Sequence, residues 1–273
     1  MSKTTTDRAF EILDLIDETR PTVSPEEIAQ KLGLTRSTTY RYLKVLCGIG
    51  LLMQIGRGAY SLGPRIVELE RKIQISDPLL AAGRKVMPEH AAKVPSSVLI
   101  LCGLWGDRVL CLRQEPATHH ELQLSRARGL PFPLFKGAAS LAILANLSPA
   151  RIKSLYLYQS SEIAEAGLGD SWDGFRRRMS DIRRCGYCVT TGTFESNLAA
   201  IAAPVFSDEG TILGSLTRVM PKGEGDPDAQ LIEGVRQAAH AITGLLSSEV
   251  LWMPPVEEHQ TSAHDQFLKS LIS

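Results

Sequence analysis

The stretch that most constrains this chain runs from Ser24 to Cys47, where two helices are marked by their ends. Ser24 can cap the first. Pro25 follows at the first helical position, where its missing N–H costs nothing, and Glu27 completes a Ser-x-x-Glu capping box. Ala29 and Leu32, with Ile28, give that helix an inward face. Gly33 falls where the helix must stop and a left-handed residue is wanted. Thr35 can cap a second helix that runs to about Cys47 and ends before Gly48. An earlier helix is expected from Thr6 to Glu18, with Phe10, Leu13 and Ile16 at helical spacing and Ala9 and Ile12 beside them. A turn at Arg20-Pro21-Thr22 closes it. Beyond the pair, Leu51 to Gln54 and Ala59 to Leu62 read as short strands, joined by Gly56-Arg57-Gly58 as a hairpin. Three helices with a tight glycine turn, then a hairpin, spell a winged helix-turn-helix.

Charge agrees with that reading. The chain has 273 residues and a net charge of zero, so the total says nothing about nucleic acid, but the distribution does. Asp7 to Glu27 holds seven acids, whereas Lys31 to Arg65 holds six bases and no acid. Such a segment suits a phosphate-facing surface. On a helical wheel of the third helix, Thr39, Tyr42, Leu43 and Leu46 face the core. Arg36, Ser37, Tyr40, Arg41 and Lys44 face outward. Arg36, Ser37, Thr38 and Arg41 are the candidates for groove entry and base edges, since arginine can bind guanine bidentately and Ser or Thr can read several bases. Lys44, at the far end, is expected to meet phosphate, and Arg57 at the hairpin tip to meet the backbone or the minor groove.

After Gly63-Pro64, Arg65 to Ile75 reads as a connecting helix with Ile66, Leu69 and Ile73 on one side. The remainder mixes elements. Strands are expected at Val98–Leu104, Val109–Arg113, Leu122–Leu124, Tyr187–Thr190, Leu198–Phe206 and Thr211–Val219. Turns at Gly106-Asp107 and Asp208-Glu209-Gly210 join neighbours into hairpins. Helices are expected at Leu79–Lys93, Ala138–Leu147, Pro149–Tyr158 and Ser171–Arg184. A final helix should start near Pro227, capped by Asp226, with its stripe running from Leu231 to Leu246. Six short strands among helices suggest an α+β domain with an antiparallel sheet.

Other motifs carry little chemistry. Cys185-Gly186-Tyr187-Cys188 has redox spacing, but here a helix precedes the pair and a strand follows it. That is the reverse of the order that lowers a thiol pKa. Cys102 and Cys111 have hairpin-arm spacing, so a zinc site with Cys185 and Cys188 is disfavoured. His119-His120, near Glu115 and Glu121, reads as a surface loop. Arg176-Arg177-Arg178 with Arg183-Arg184 reads as a solvated helix face. Five cysteines without a secretory signal suit a reducing cytoplasm, and no apolar run is long enough to span a membrane. No nucleophile elbow, phosphate loop or dinucleotide fingerprint is present, so neither a catalytic residue nor a cofactor is expected.

The run Leu34 to Leu43 (LTRSTTYRYL), then Leu46, Gly50-Leu51-Leu52 and Tyr60-Ser61-Leu62-Gly63, resembles the DNA-binding domain of the IclR family of regulators. Leu134 to Ala145 (LFKGAASLAILA), Gly186-Tyr187 and Ile201 to Val205 (IAAPV) are similar to that family's C-terminal pattern, in the same order. The resemblance spans about Asp7 to Leu251. It implies a GAF-like C-terminal fold whose sheet carries a pocket for a small effector, often a small organic acid or an aromatic metabolite. It places Thr190, Ala200, Thr217 and Val219 in that pocket. Gly137 and Ala138 join them, because backbone amides at a helix start favour anionic atoms. The chain departs from the family pattern at Ser140, Thr193 and Asn197. The pocket set of Thr190, Ala200, Thr217 and Val219 is neutral and partly apolar, which suggests a pocket that demands little charge, for an aromatic or neutral ligand. The expected organisation is a DNA-binding domain over 1–64, a linker helix over 65–77, an effector domain over 78–252 and a polar tail over 253–273. The expected partners are double-stranded DNA with a pseudo-palindromic operator, a small-molecule effector, and further copies in a homodimer or homotetramer. A regulator without an effector, a small-molecule enzyme and a protein-binding adaptor stay open as alternatives.

Overall fold

A computed structural model describes residues 4–106, 108–116, 122, 124–126, 128–223 and 228–248. The chain divides into two compact units, Met1–Asp77 and Pro78 onward.

In the first unit, α1 (Thr5–Asp14), α2 (Pro25–Leu32) and α3 (Arg36–Gly48) precede a hairpin of β1 (Leu52–Ile55) and β2 (Ala59–Leu62). The end signals hold. Ser24 and Glu27 form a reciprocal capping box, Gly33 is left-handed at φ 63°, and Thr35 caps α3 through the Thr38 N–H at 3.2 Å. The hairpin is tied back by Val23, whose N–H and carbonyl pair with those of Tyr60 at 2.9 Å. Ile12, Ile28, Leu43, Leu46 and Leu52 close the core.

The helix expected over Thr6–Glu18 stops at Asp14. The Asp17 carboxylate accepts the N–H groups of Thr19 and Arg20 at 2.9 and 2.8 Å, making a local turn that competes with helix. Bonding to the Thr19 hydroxyl, then to the Arg20 backbone, holds the Asp17 carboxyl below its ordinary pKa. Phe10 is not in the core. It is 59% exposed, and Ile12 is buried in its place. Residues 9, 12, 13 and 16 form the i, i+3, i+4, i+7 set that faces inward, and Phe10 lies outside that set. Helix α3 also extends one residue further than expected, through Gly48. The connecting helix α4 (Arg65–Ser76) buries none of its residues within its unit, and Val67, Ile73 and Ile75 are exposed.

The second unit is an α+β domain built on a six-stranded antiparallel sheet. Its strands are β3 (Val98–Trp105), β4 (Arg108–Glu115), β5 (Pro131–Phe132), β6 (Cys188–Thr191), β7 (Leu198–Phe206) and β8 (Ile212–Pro221), in spatial order β5-β4-β3-β8-β7-β6. Strand β8 lies between β3 and β7, and its alternation sorts two cores. Val219 packs with α6 (Ala138–Leu144), α7 (Pro149–Glu165) and α8 (Trp172–Cys185). Leu216 and Met220 pack with α5 (Pro78–Ala92) and α9 (Ala229–Ser248).

Several expectations need correction here. The outermost strand is Pro131–Phe132, next to β4. Leu122 and Leu124 are not in a strand, and Gln123 lies outside the described residues. Helix α6 ends at Leu144, three residues short of Leu147. Helix α7 continues past Tyr158 to Glu165 through a non-helical Gln159 (φ −134°, ψ 29°), and it buries Ile163 beyond the break. Arg183 is more than a solvated charge: it donates to the carbonyls of Ala145 and Leu147 at 2.7 and 2.9 Å, satisfying groups after the end of α6. Asp107, His119, His120, Glu121, Asp226, Pro227 and the tail from 249 onward lie outside the described residues.

Arg218 points away from Thr217, as strand alternation requires. It is 2% exposed and donates to Ser97 Oγ at 2.5 Å and to the His90 carbonyl at 2.8 Å. Burial lowers its pKa to about 10, and among the described residues it meets neutral acceptors only. Buried arginines of this kind stay only where their donors are satisfied.

Candidate nucleic-acid interface and ligand pocket

Helix α3 divides as its wheel predicts. Thr39, Tyr42, Leu43 and Leu46 are buried, while Arg36, Ser37, Tyr40, Arg41 and Lys44 are exposed and Thr38 is half-exposed. Capping Thr35 draws in the Thr38 side chain, since the Thr35 hydroxyl donates to Thr38 Oγ1 at 2.9 Å. Arg36 meets Glu26 of α2 at 3.2 Å, with side chains 75% and 63% exposed. An open pair of that kind holds little energy and exchanges readily for a phosphate. Among the described residues, Arg41, Lys44 and Arg57 form no ion pair, and Arg57 is exposed in the turn between β1 and β2. The surface is therefore an acid-free helix face with polar heads at its N-terminal end and a cation in the hairpin.

The second site is a half-open cavity over the sheet of the C-terminal unit, with a mostly apolar lining. All six residues expected there line it: Gly137, Ala138, Thr190, Ala200, Thr217 and Val219. Strands β3, β8 and β7 supply the floor through Ile100, Thr217, Val219 and Ala200. The start of α6 borders it, with the Ala138 N–H donated to Thr190 Oγ1 at 3.2 Å. That amide is already engaged, which corrects the idea that it stands free for an anion. Ser215 Oγ donates to the Ala139 carbonyl at 3.0 Å and fixes α6 on β8.

The neutral reading of the pocket also needs correction. Arg126 and Glu195 line it, together with Phe132 and Phe194. Phe194 is the hub. Its ring meets Phe132 edge to face at 5.9 Å, lies under the guanidinium of Arg126 at 5.2 Å and under the Lys136 ammonium at 5.7 Å. It also covers Gly137 so closely that a Cβ there would sit 2.6 Å from the ring. Sequence reasoning missed these residues because Arg126 and Phe194 lie in connections, where no periodicity marks a side chain as inward. Thr193 lines the pocket as well, so one departure from the family pattern falls inside the site. Ser140 is fully buried, and its Oγ has no partner among the described residues; an orphaned polar atom of that kind costs about 1–3 kcal/mol.

Gly186 is left-handed (φ 74°) and closes α8, so Cys185 and Cys188 sit at the wrong helix end for thiolate stabilisation. Burial pushes the Cys188 thiol up to about 11. Among the described residues no cluster of His, Cys, Asp and Glu could hold a metal, and no helix is long and apolar enough to cross a membrane.

A helix-turn-helix with a hairpin behind it, followed by an α+β unit with a half-open cavity on its sheet, defines a one-chain transcription regulator of the helix-turn-helix class. The IclR helix-turn-helix domain model matches residues 5–56, and the model of the bacterial transcriptional regulator IclR C-terminal domain matches residues 78–244. The chain belongs to the IclR family of DNA-binding transcriptional regulators. Relatives include a probable HTH-type transcriptional regulator, ArcR, of Halobacterium salinarum, 27% identical with 78% of this chain and 81% of that protein covered. The HTH-type transcriptional repressor AllR of Klebsiella pneumoniae is 24% identical, with 88% and 89% covered. An IclR homologue from Microbacterium hydrocarbonoxydans, solved with 4-hydroxybenzoate, shares the fold with a TM-score of 0.72, 21% identity, and coverage of 90% of this chain and all (100%) of that one.

Proposed function

We propose that this regulator reads a pseudo-palindromic operator through α3 and that occupancy of the cavity by a small organic or aromatic acid changes its affinity for that site. Arg36, Ser37, Thr38 and Arg41 enter the major groove. Tyr40 lies beside them on the outward face, Lys44 meets phosphate, and Arg57 reaches the backbone or minor groove. The observation that carries this reading is the acid-free outward face of α3 above a fully packed inward one. The repressor name of the Klebsiella relative and the aromatic acid bound to the Microbacterium homologue support the two halves of the proposal.

In this reading residues 1–64 bind DNA, the helix over 65–77 carries the signal, and residues 78–252 hold the effector. The protein is a cytoplasmic homodimer or homotetramer that acts as a repressor or activator and performs no chemistry of its own. Paired recognition helices then sit one helical turn apart on DNA, or a multiple of it. The ligand works by binding the two arrangements of the oligomer with unequal affinity.

Arg41→Ala tests base reading. Specific binding should weaken by about 1–3 kcal/mol, with binding to random DNA much less affected. Equal losses on both would reduce Arg41 to a phosphate contact. Electrophoretic mobility shift on operator and scrambled duplexes separates the two.

A further inference from the structure

Cys102 and Cys111 stand directly opposite each other on β3 and β4, and reading DNA or an effector uses neither. Both are free, 0% and 1% exposed, and part of the core on the α6 side of the sheet. Their spacing in the chain would not bring them together. Leu101 pairs with Arg113, so an unbroken ladder would set Cys102 against Leu112 and turn the two thiols to opposite faces. A bulge between Leu101 and Cys102 takes up Leu112 as an extra residue and sets Cys102 against Cys111 instead. Leu112 turns to the other core, and Gly103 makes room for it, since a Cβ there would lie 2.6 Å from Leu112 Cδ1. Residues opposite each other in an antiparallel ladder have Cα atoms about 4.5–5.5 Å apart, inside the range of about 4.4–6.8 Å that a disulfide spans. The thiols also feel each other. Burial, then the neighbouring Cys111 thiol, push the Cys102 thiol well above its ordinary pKa. The other cysteines of this unit lack such a partner, since Cys188 stands opposite Ala202 and Cys185 ends α8 outside the sheet. The pair also borders the cavity. Ile100, two residues before Cys102, lines it, and so does Phe132, which pairs with Val109 two residues before Cys111. Beyond β4 the sheet ends in the two-residue β5, and the Cys111 carbonyl accepts the Gly129 N–H at 2.9 Å. Cys111 is therefore the thiol nearer the sheet edge.

We propose that Cys102 and Cys111 are a reversible modification site, where a peroxide makes a cross-strand disulfide that a cellular thiol reductant undoes. Local opening at the β5 edge brings Cys111 to solvent. Its sulfur attacks the peroxide and the O–O bond breaks. One oxygen stays on sulfur as a sulfenic acid, and the other leaves as water. The Cys102 sulfur then attacks the Cys111 sulfur. The S–S bond forms as the S–O bond breaks, and the Cys102 proton leaves with that oxygen as a second water. The two thiols together lose two electrons and two protons, and one hydrogen peroxide is reduced to two waters. Burial disfavours the thiolate, so the closed sheet resists oxidation and the rate follows the opening of β4. The new bond ties β3 to β4 at the bulge and stiffens the wall that Ile100 and Phe132 give the cavity. Neither DNA nor an effector is needed for this chemistry.

The test starts from the full-length protein, reduced, freed of reductant and exposed to hydrogen peroxide. Remaining thiols are blocked with N-ethylmaleimide in denaturant. Trypsin cuts after Arg108, so the two cysteines fall on separate peptides. Mass spectrometry without reduction should find residues 94–108 joined to residues 109–113, two hydrogens lighter than their sum, and dithiothreitol should release them. Amide exchange of Gly129 and along β3 and β4 should slow by at least about tenfold in the oxidised protein and recover on reduction. Cys111→Ala should abolish the cross-link and leave Cys102 as a thiol, whereas Cys185→Ser should leave the cross-link intact. The wild-type measurement stands whether or not the Cys111 variant folds. Three results would each overturn the proposal. One is oxidation of Cys185 while Cys102 and Cys111 are still recovered as blocked thiols. Another is a disulfide from either of them to Cys47, Cys185 or Cys188. The third is a cross-link between Cys102 and Cys111 that leaves amide exchange unchanged.

Discussion

Leu43→Ala removes specific DNA binding by loosening the N-terminal unit. Leu43 is 1% exposed, on the inward side of α3. It packs in a small core with Ile12, Ile28, Leu46 and Leu52. Truncating a leucine in such a core costs about 2–5 kcal/mol, as lost burial plus the cavity left behind. A small domain has only about 5–15 kcal/mol in all, so the loss is a large fraction of the total. The expected result is an earlier denaturation transition for residues 1–77 and weaker operator retention at a fixed temperature. The C-terminal unit has its own cores and should keep its ligand binding. Unchanged unfolding of the N-terminal unit would mean that the α3 packing described above is wrong.

Gly137→Ala is expected to blind the sensor while leaving apo DNA binding in place. Gly137 has φ 88° and ψ 151°, an extended positive-φ conformation that is essentially confined to glycine and costs another residue on the order of 1–3 kcal/mol. The added Cβ would lie 2.6 Å from Phe194. That ring cannot simply swing away, because Phe132, Arg126 and Lys136 all pack on it. Displacing it reshapes the cavity and moves the guanidinium of Arg126. Effector affinity should fall by roughly an order of magnitude, about the effect of 1.4 kcal/mol, read as a rightward shift of the effector titration in a DNA-release assay. An unchanged titration midpoint would show that Phe194 and Gly137 do not shape the occupied pocket.

How much of this was legible beforehand depended on whether a residue answered to a local rule. Ser24, Glu27, Gly33 and Thr35 could be placed because caps and left-handed turns are short-range events with few permitted side chains. The outward set on α3 followed from a period of 3.6 applied to a capped helix. Strand alternation placed Thr217 on the opposite side of β8 from Arg218. Failures came where tertiary context decides. Asp17 cut α1 short by bonding its own turn, and Phe10 was counted inward on a stripe that Ile12 fills. Nothing in the pattern around Pro131 announces a two-residue edge strand, because its pairing with Val109 and Leu110 is non-local. The pocket was half legible. Its six expected residues lie on regular elements or at a helix start, whereas Arg126, Phe194 and Glu195 come from connections brought together by the sheet. That omission turned a charged pocket into an apparently neutral one.

The most direct test of the central claim is selection of genomic DNA fragments by the purified protein at two salt concentrations. A sequence-specific reader should recover one short motif with two-fold symmetry. Its affinity should fall steeply with salt, because each phosphate contact releases counterions. Failure to enrich any sequence at low salt, with or without a small aromatic acid, would contradict the account.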